Sequence, residues 1–107
     1  RPDAVASLQL PAQLGFAEAA TAWAQLEPAL RAEAMQVRSG AGRELRLSAA
    51  QLKSFDSATL SVLLGCARLA AEHGLRLVVS HAPEQLRALA GVYGLTELIW
   101  PTEPTPA

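Results

Sequence analysis

Cysteine is nearly absent from this chain. Cys66 is its single thiol, so no disulfide can close within it. A lone cysteine in a small domain suits a reducing compartment. Metal-ligand clusters are lacking too: one thiol and two scattered histidines, His73 and His81, do not supply the number and spacing of ligands that a metal centre needs. No apolar run approaches the roughly 20 residues required to span a bilayer. The N-terminus has no basic region followed by an apolar stretch, and so reads as lacking a signal peptide. Charge of one sign is not in excess either. The net charge is -1, which leaves no electrostatic footprint for nucleic acid or another polyanion.

What is present is globular. The chain has 107 residues, half of them hydrophobic and 18% charged, which fits one folded domain and not a disordered segment. That length can bury a core without a metal or a disulfide. Ser39-Gly40-Ala41-Gly42 is a turn cluster. No Lys-Ser/Thr follows it, so it is not a phosphate loop.

Hydrophobic periodicity orders the rest. After a loose lead-in over residues 1–5, residues 6–10 alternate and predict a strand, ended or kinked by Pro11 and briefly resumed at Gln13 and Leu14. Residues 16–34 carry Phe16, Ala20, Trp23, Leu26 and Leu30 at helical spacing, with a kink or break expected near Glu27 because of Pro28. Residues 44–48 alternate as a strand, and residues 49–55 read as a crossover. A helix beginning near Ser57 presents Leu60, Leu63, Leu64, Ala67, Ala70 and Ala71, and Gly74 stops it. The Leu-Val-Val run within residues 75–80 predicts a central strand covered on both faces. Pro83 opens a third helix that Gly94 closes. Residues 95–100 read as a short edge strand or turn, and residues 101–107 as a frayed Pro/Thr-rich tail. Strand and helix thus alternate, which argues for a single α/β domain, residues 1–107, with helices packed on a sheet.

The junction Phe55-Asp56-Ser57-Ala58-Thr59-Leu60 stands out. Asp56 and Ser57 are both strong N-cap types, and capping is the commonest reason for finding them at a helix start. A helix N-terminus also offers free backbone N–H groups and positive dipole character. A phosphate added to Ser57 would meet a site that favours an anion.

The stretch from Leu45 to Leu64 resembles the central signature of STAS domains, in which a strand and a short crossover precede Asp-Ser/Thr-Ser/Ala-Gly-Leu and an apolar helix. Asp56, Ser57, Ala58 and Leu60 match that signature. Thr59 replaces the usual glycine, which implies a looser helix entry. Pro83 to Leu95, with Leu89-Ala90-x-x-Tyr93, is similar to the last helix of MlaB-like members, and Trp23 fits that branch as well. The resemblance spans about residues 6–100.

The resemblance implies a mixed sheet with helices around it and no catalytic role. MlaB-like members sit on the cytoplasmic ATPase subunit, MlaF, of an ABC transporter that moves phospholipids between the inner and outer membranes. They support its assembly and activity beside an inner-membrane permease, MlaE. The expected partner surface is Lys53, Ser54, Asp56, Ser57, Thr59, Ser61 and Tyr93, centred on Ser57. No cofactor is implied. The alternative within the same fold is an anti-sigma factor antagonist, switched when a kinase partner phosphorylates Ser57.

Rival chemistry is thin. Ser57 has an acid beside it and histidines downstream, but no G-x-S-x-G elbow surrounds it. Cys66, in a helix interior, reads as a buried structural thiol.

Overall fold

The computed structural model describes residues 8–40 and 42–100. The predicted strand over residues 6–10 therefore lies partly outside the described residues, as do Ala41 of the turn cluster, the lead-in and the tail. The elements are β1 (Leu8–Gln9), β2 (Gln13–Leu14), α1 (Ala19–Ser39), β3 (Glu44–Ser48), β4 (Ser54–Phe55), α2 (Ser57–Glu72), β5 (Arg76–Ser80), α3 (Glu84–Val92) and α4 (Thr96–Ile99). The fold is the α/β arrangement expected. Strands β1, β3 and β5 form a sheet in the order β1-β3-β5, and β2 pairs separately with β4. Every pairing among the described residues is parallel.

The register sorts the side chains onto two unlike faces. Leu47 lies between Leu8 and Val79, and Leu45 beside Leu77, so one face is continuous hydrocarbon. Helices α1 and α2 pack on each other and against this sheet. On the other face Glu44 neighbours Arg76 and Arg46 neighbours Val78. Glu44 accepts from Arg46 at 2.9 Å and from Arg76 at 3.0 Å.

This arrangement corrects the reading of residues 75–80. Among the described residues β5 is an edge strand, and β3 is the centre. Val78 faces the polar side and stays half-exposed. An unbroken apolar run need not mean two covered faces when the exposed position is one valine in an ion-paired surface.

Helix α1 corrects two further expectations. It starts at Ala19, not at Phe16, because residues 15–18 form a turn closed by Glu18 N–H to the Gly15 carbonyl at 3.0 Å. Phe16 is left 86% exposed. The helix also runs unbroken through Pro28. Pro28 lies on the exposed side, and Ala24, whose carbonyl loses its donor, is also exposed, so water can serve that carbonyl. Leu26 and Leu30 stay buried on either side of it. Trp23 is half-buried, its indole lying where a Cβ on Gly65 of α2 would stand only 3.1 Å away.

Helix α2 is the centre of the core, burying Leu60, Leu63, Cys66, Leu69 and Ala70. Cys66 and Leu69 occupy the stripe in place of Leu64, Ala67 and Ala71, which are half-buried or exposed. Gly74 (φ 71°) ends α2 as expected: Leu75 N–H reaches the Ala70 carbonyl at 2.8 Å and Gly74 N–H the Ala71 carbonyl at 3.0 Å. That pair of bonds is a Schellman stop, and Gly94 (φ 71°) repeats it after α3. Residues 96–99 form the short helix α4 and not a strand, because Ile99 N–H bonds back to Leu95 at 3.1 Å and buries the Ile99 side chain.

Burial has a chemical consequence at Cys66, whose thiol is pushed up to about 12 by loss of solvation. The folded chain keeps this proton through the range in which an unfolded cysteine, near 8.5, loses it. Stability should therefore fall as pH rises above about 9, by up to about 1.4 kcal/mol per pH unit. Urea midpoints between pH 7 and 11 should show that decline, and it should vanish in Cys66→Ala. At pH 8 a thiol reagent should label the chain only after unfolding.

Candidate functional site at the entry of the central helix

Residues 49–55, read as a plain crossover, are tied down along their length. Ala49 N–H bonds the Ser80 carbonyl at 2.8 Å, and Ala50 N–H bonds Ser48 Oγ at 3.2 Å. Lys53 and Ser54 both donate their N–H to the Ala12 carbonyl, at 2.8 and 2.9 Å. Parallel pairing then sets Gln13 beside Ser54 and Leu14 beside Phe55. The two-residue strand β4 thus delivers Asp56 to the helix start against residues 14–16.

Asp56 caps α2 and does more. Its Oδ1 accepts from Ala58 N–H at 2.8 Å, and Thr59 Oγ1 accepts from Asp56 N–H at 3.1 Å, the reciprocal pattern of a capping box. Oδ2 accepts from Phe16 N–H at 3.0 Å, across 40 residues of sequence. Gly15 makes that approach feasible, since a Cβ there would stand 3.0 Å from Oδ2. Gly15 N–H is taken by Glu18 Oε1 at 2.8 Å. Gln13, Gly15, Glu18, Ser54, Phe55 and Asp56 line a shallow cavity of about 300 Å³ here.

Of the residues assigned to this surface, Lys53, Ser54, Asp56, Ser57 and Ser61 are exposed. Ser57 and Ser61 lie four apart in α2, on one side of the helix. Thr59 is a correction. Its side chain is fully buried, and its hydroxyl donates to the Leu14 carbonyl at 2.6 Å while accepting from Asp56. It cannot touch a partner. Nor does it loosen the helix entry: it fastens α2 to β2. Tyr93 is exposed at the end of α3 beside Val92, and no described contact joins it to the Asp56 cluster.

The local electrostatics amend the expectation for phosphate. The anion-binding capacity of this helix start is already occupied by the chain's own Asp56 carboxylate, with Glu18 close by. A phosphate on Ser57 would meet a carboxylate neighbour, so added charge there would disturb the surface instead of settling into it.

Phe16 was not recognised from the sequence as a surface residue, because its spacing fitted the helical stripe. The structure sets it beside Asp56 as a large apolar group in solvent. A hydrolytic relay is not assembled. The Asp56 carboxylate is committed to main-chain N–H groups, His73 caps the far end of α2 with Nδ1 3.0 Å from the Leu69 carbonyl, and among the described residues neither histidine hydrogen-bonds Ser57. Among the described residues no cluster of histidine, cysteine and carboxylate side chains could hold a metal, and no helix is long and apolar enough to cross a membrane.

The chain is thus a small α/β domain whose central helix opens at a capped start with hydroxyls, a lysine and a phenyl ring exposed around it. The family model described as "Mlab, STAS domain" matches residues 1–100, and the chain belongs to that family of MlaB-type STAS domains. No individual curated protein and no solved structure gives a significant match to it.

Proposed function

We propose that this chain is a non-catalytic accessory subunit that docks on the cytoplasmic ATPase, MlaF-like, of a phospholipid ABC transporter whose permease is MlaE-like, and that it supports the assembly and activity of that ATPase in outer-membrane lipid asymmetry. The observation carrying this reading is the MlaB-type family match over residues 1–100, joined to an ordered, exposed surface at the start of α2. The protein would then be cytoplasmic and peripheral to the inner membrane through its complex.

The docking surface centres on Ser57, with Lys53, Ser54, Asp56, Ser61 and the phenyl ring of Phe16 around it. Its geometry is rigid before any partner arrives, because β4, the capping box and the Asp56–Phe16 bond fix the backbone. Preorganisation of this kind lowers the ordering cost of association.

A pull-down from native membranes, using the wild-type domain and Ser57→Glu side by side, tests the reading. Wild type should recover an ABC ATPase with its permease. Ser57→Glu should lose them while keeping the wild-type circular dichroism and urea midpoint, since Ser57 is exposed. Recovery of a kinase-like anti-sigma factor instead would move the protein to the signalling branch. Unchanged recovery by the variant would remove Ser57 from the interface.

A further inference from the structure

The pole of the domain opposite Ser57 carries a feature that docking on an ATPase does not use. Helix α1 ends at Ser39, and the chain reverses so tightly that Gly42 N–H returns to the Val37 carbonyl at 2.8 Å. A Cβ on Gly42 would stand 2.7 Å from Val37 Cγ1, so this close return requires glycine. It carries Arg43 back beside Arg38. Arg43 in turn accepts Arg76 N–H at 2.9 Å, which brings it to the start of β5 and so to the end of α2. Arg38, Gly42, Arg43, His73, Gly74 and Leu75 together line a cavity of about 260 Å³.

Its lining residues include two arginines and no acidic residue. Of the other described arginines, Arg31 pairs with Glu27 and Glu72, Arg46 and Arg76 pair with Glu44, and Arg87 stacks on Trp100, while Arg68 lies exposed on α2. Among the described residues no carboxylate pairs with Arg38 or Arg43. The common reason for basic residues at helix C-termini is to satisfy the last carbonyls. Here other groups do much of that. Gly40 and Gly42 N–H and Ser39 Oγ serve Gln36 and Val37, and the N–H groups of His73, Gly74 and Leu75 serve Ala70 and Ala71. The arginine side chains are left available.

We propose that this cavity binds a phosphate-type oxyanion. Guanidinium groups match the paired oxygens of a phosphoryl group and hold it by charge-assisted hydrogen bonds. Two neighbouring guanidinium groups can donate to several oxygens of one phosphate, which carries more charge than a monovalent carboxylate. The volume lies below the roughly 300–1,000 Å³ of sites for drug-sized ligands, so a phosphate or a phosphate-bearing head group fits and a larger ligand does not.

The test is a ¹⁵N NMR titration of the intact chain with inorganic phosphate, against acetate at matched ionic strength. A second arm cosediments the chain with phosphatidylcholine vesicles, with and without phosphatidylglycerol. Saturable shifts at Gly42, Arg43, Gly74 and Leu75 are expected with phosphate and not with acetate. They should weaken at least tenfold in Arg38→Gln/Arg43→Gln, which should keep its fold because both side chains are exposed. Sedimentation with the anionic vesicles that the double variant loses would identify the source as a lipid head group. Phosphate binding without it would identify a soluble phosphorylated species. Absence of saturable shifts, equal shifts with acetate, or equal affinity of the double variant would overturn the proposal.

Discussion

Thr59→Val is expected to destabilise the domain by about 3 kcal/mol, although it keeps the side chain's shape and removes only a hydroxyl. That hydroxyl donates to the Leu14 carbonyl at 2.6 Å and accepts from Asp56 N–H at 3.1 Å in a fully buried position. Valine leaves both main-chain groups without their partner, and each such loss costs about 1–3 kcal/mol. A domain of this size has roughly 5–15 kcal/mol in total, so the loss is large. With a urea slope of about 1–3 kcal/mol/M the midpoint should fall by roughly 1–3 M. Thr59→Ser keeps the oxygen and should lose far less. Equal midpoints for the valine and serine variants would show that the hydroxyl does not hold α2 to β2.

The same residue shows where sequence reasoning stopped. Thr59 departs from the usual STAS glycine, and its local context suggested a looser entry and a surface position. Its decisive partner, Leu14, is 45 residues away, and nothing near Thr59 in the chain announces that contact. Strand β4 was missed for a related reason: two residues cannot display a period, and pairing with β2 is a long-range event. Elements longer than one turn or one pleat fared better. β3 alternates over five residues and α2 repeats its apolar positions over 16, and both lie where the pattern put them. The stops at Gly74 and Gly94 were legible because both glycines take the left-handed conformation there. Asp56 as a cap was legible too, but its reach to Phe16 was not.

That reach frames the second large effect. If the Ser57 surface docks on the ATPase as proposed, Phe16→Ala should weaken the complex about thirtyfold or more, equivalent to at least about 2 kcal/mol, while leaving stability unchanged. Aromatic anchors that become buried dominate binding energies. Phe16 is 86% exposed in the free chain, so it contributes little to folding and has much area to lose on association. Its position depends on Asp56, whose Oδ2 holds Phe16 N–H at 3.0 Å while Oδ1 caps α2. Asp56→Ala should therefore weaken the complex as well, and should in addition cost stability of about 1 kcal/mol, the usual worth of an N-cap. The two changes should not add: once Asp56 no longer holds residue 16, removing the ring has less left to lose. Titration calorimetry with the purified ATPase on wild type, both single variants and the double variant measures that coupling. Full additivity would make Asp56 a cap alone. Unchanged affinity of Phe16→Ala would take the phenyl ring out of the interface.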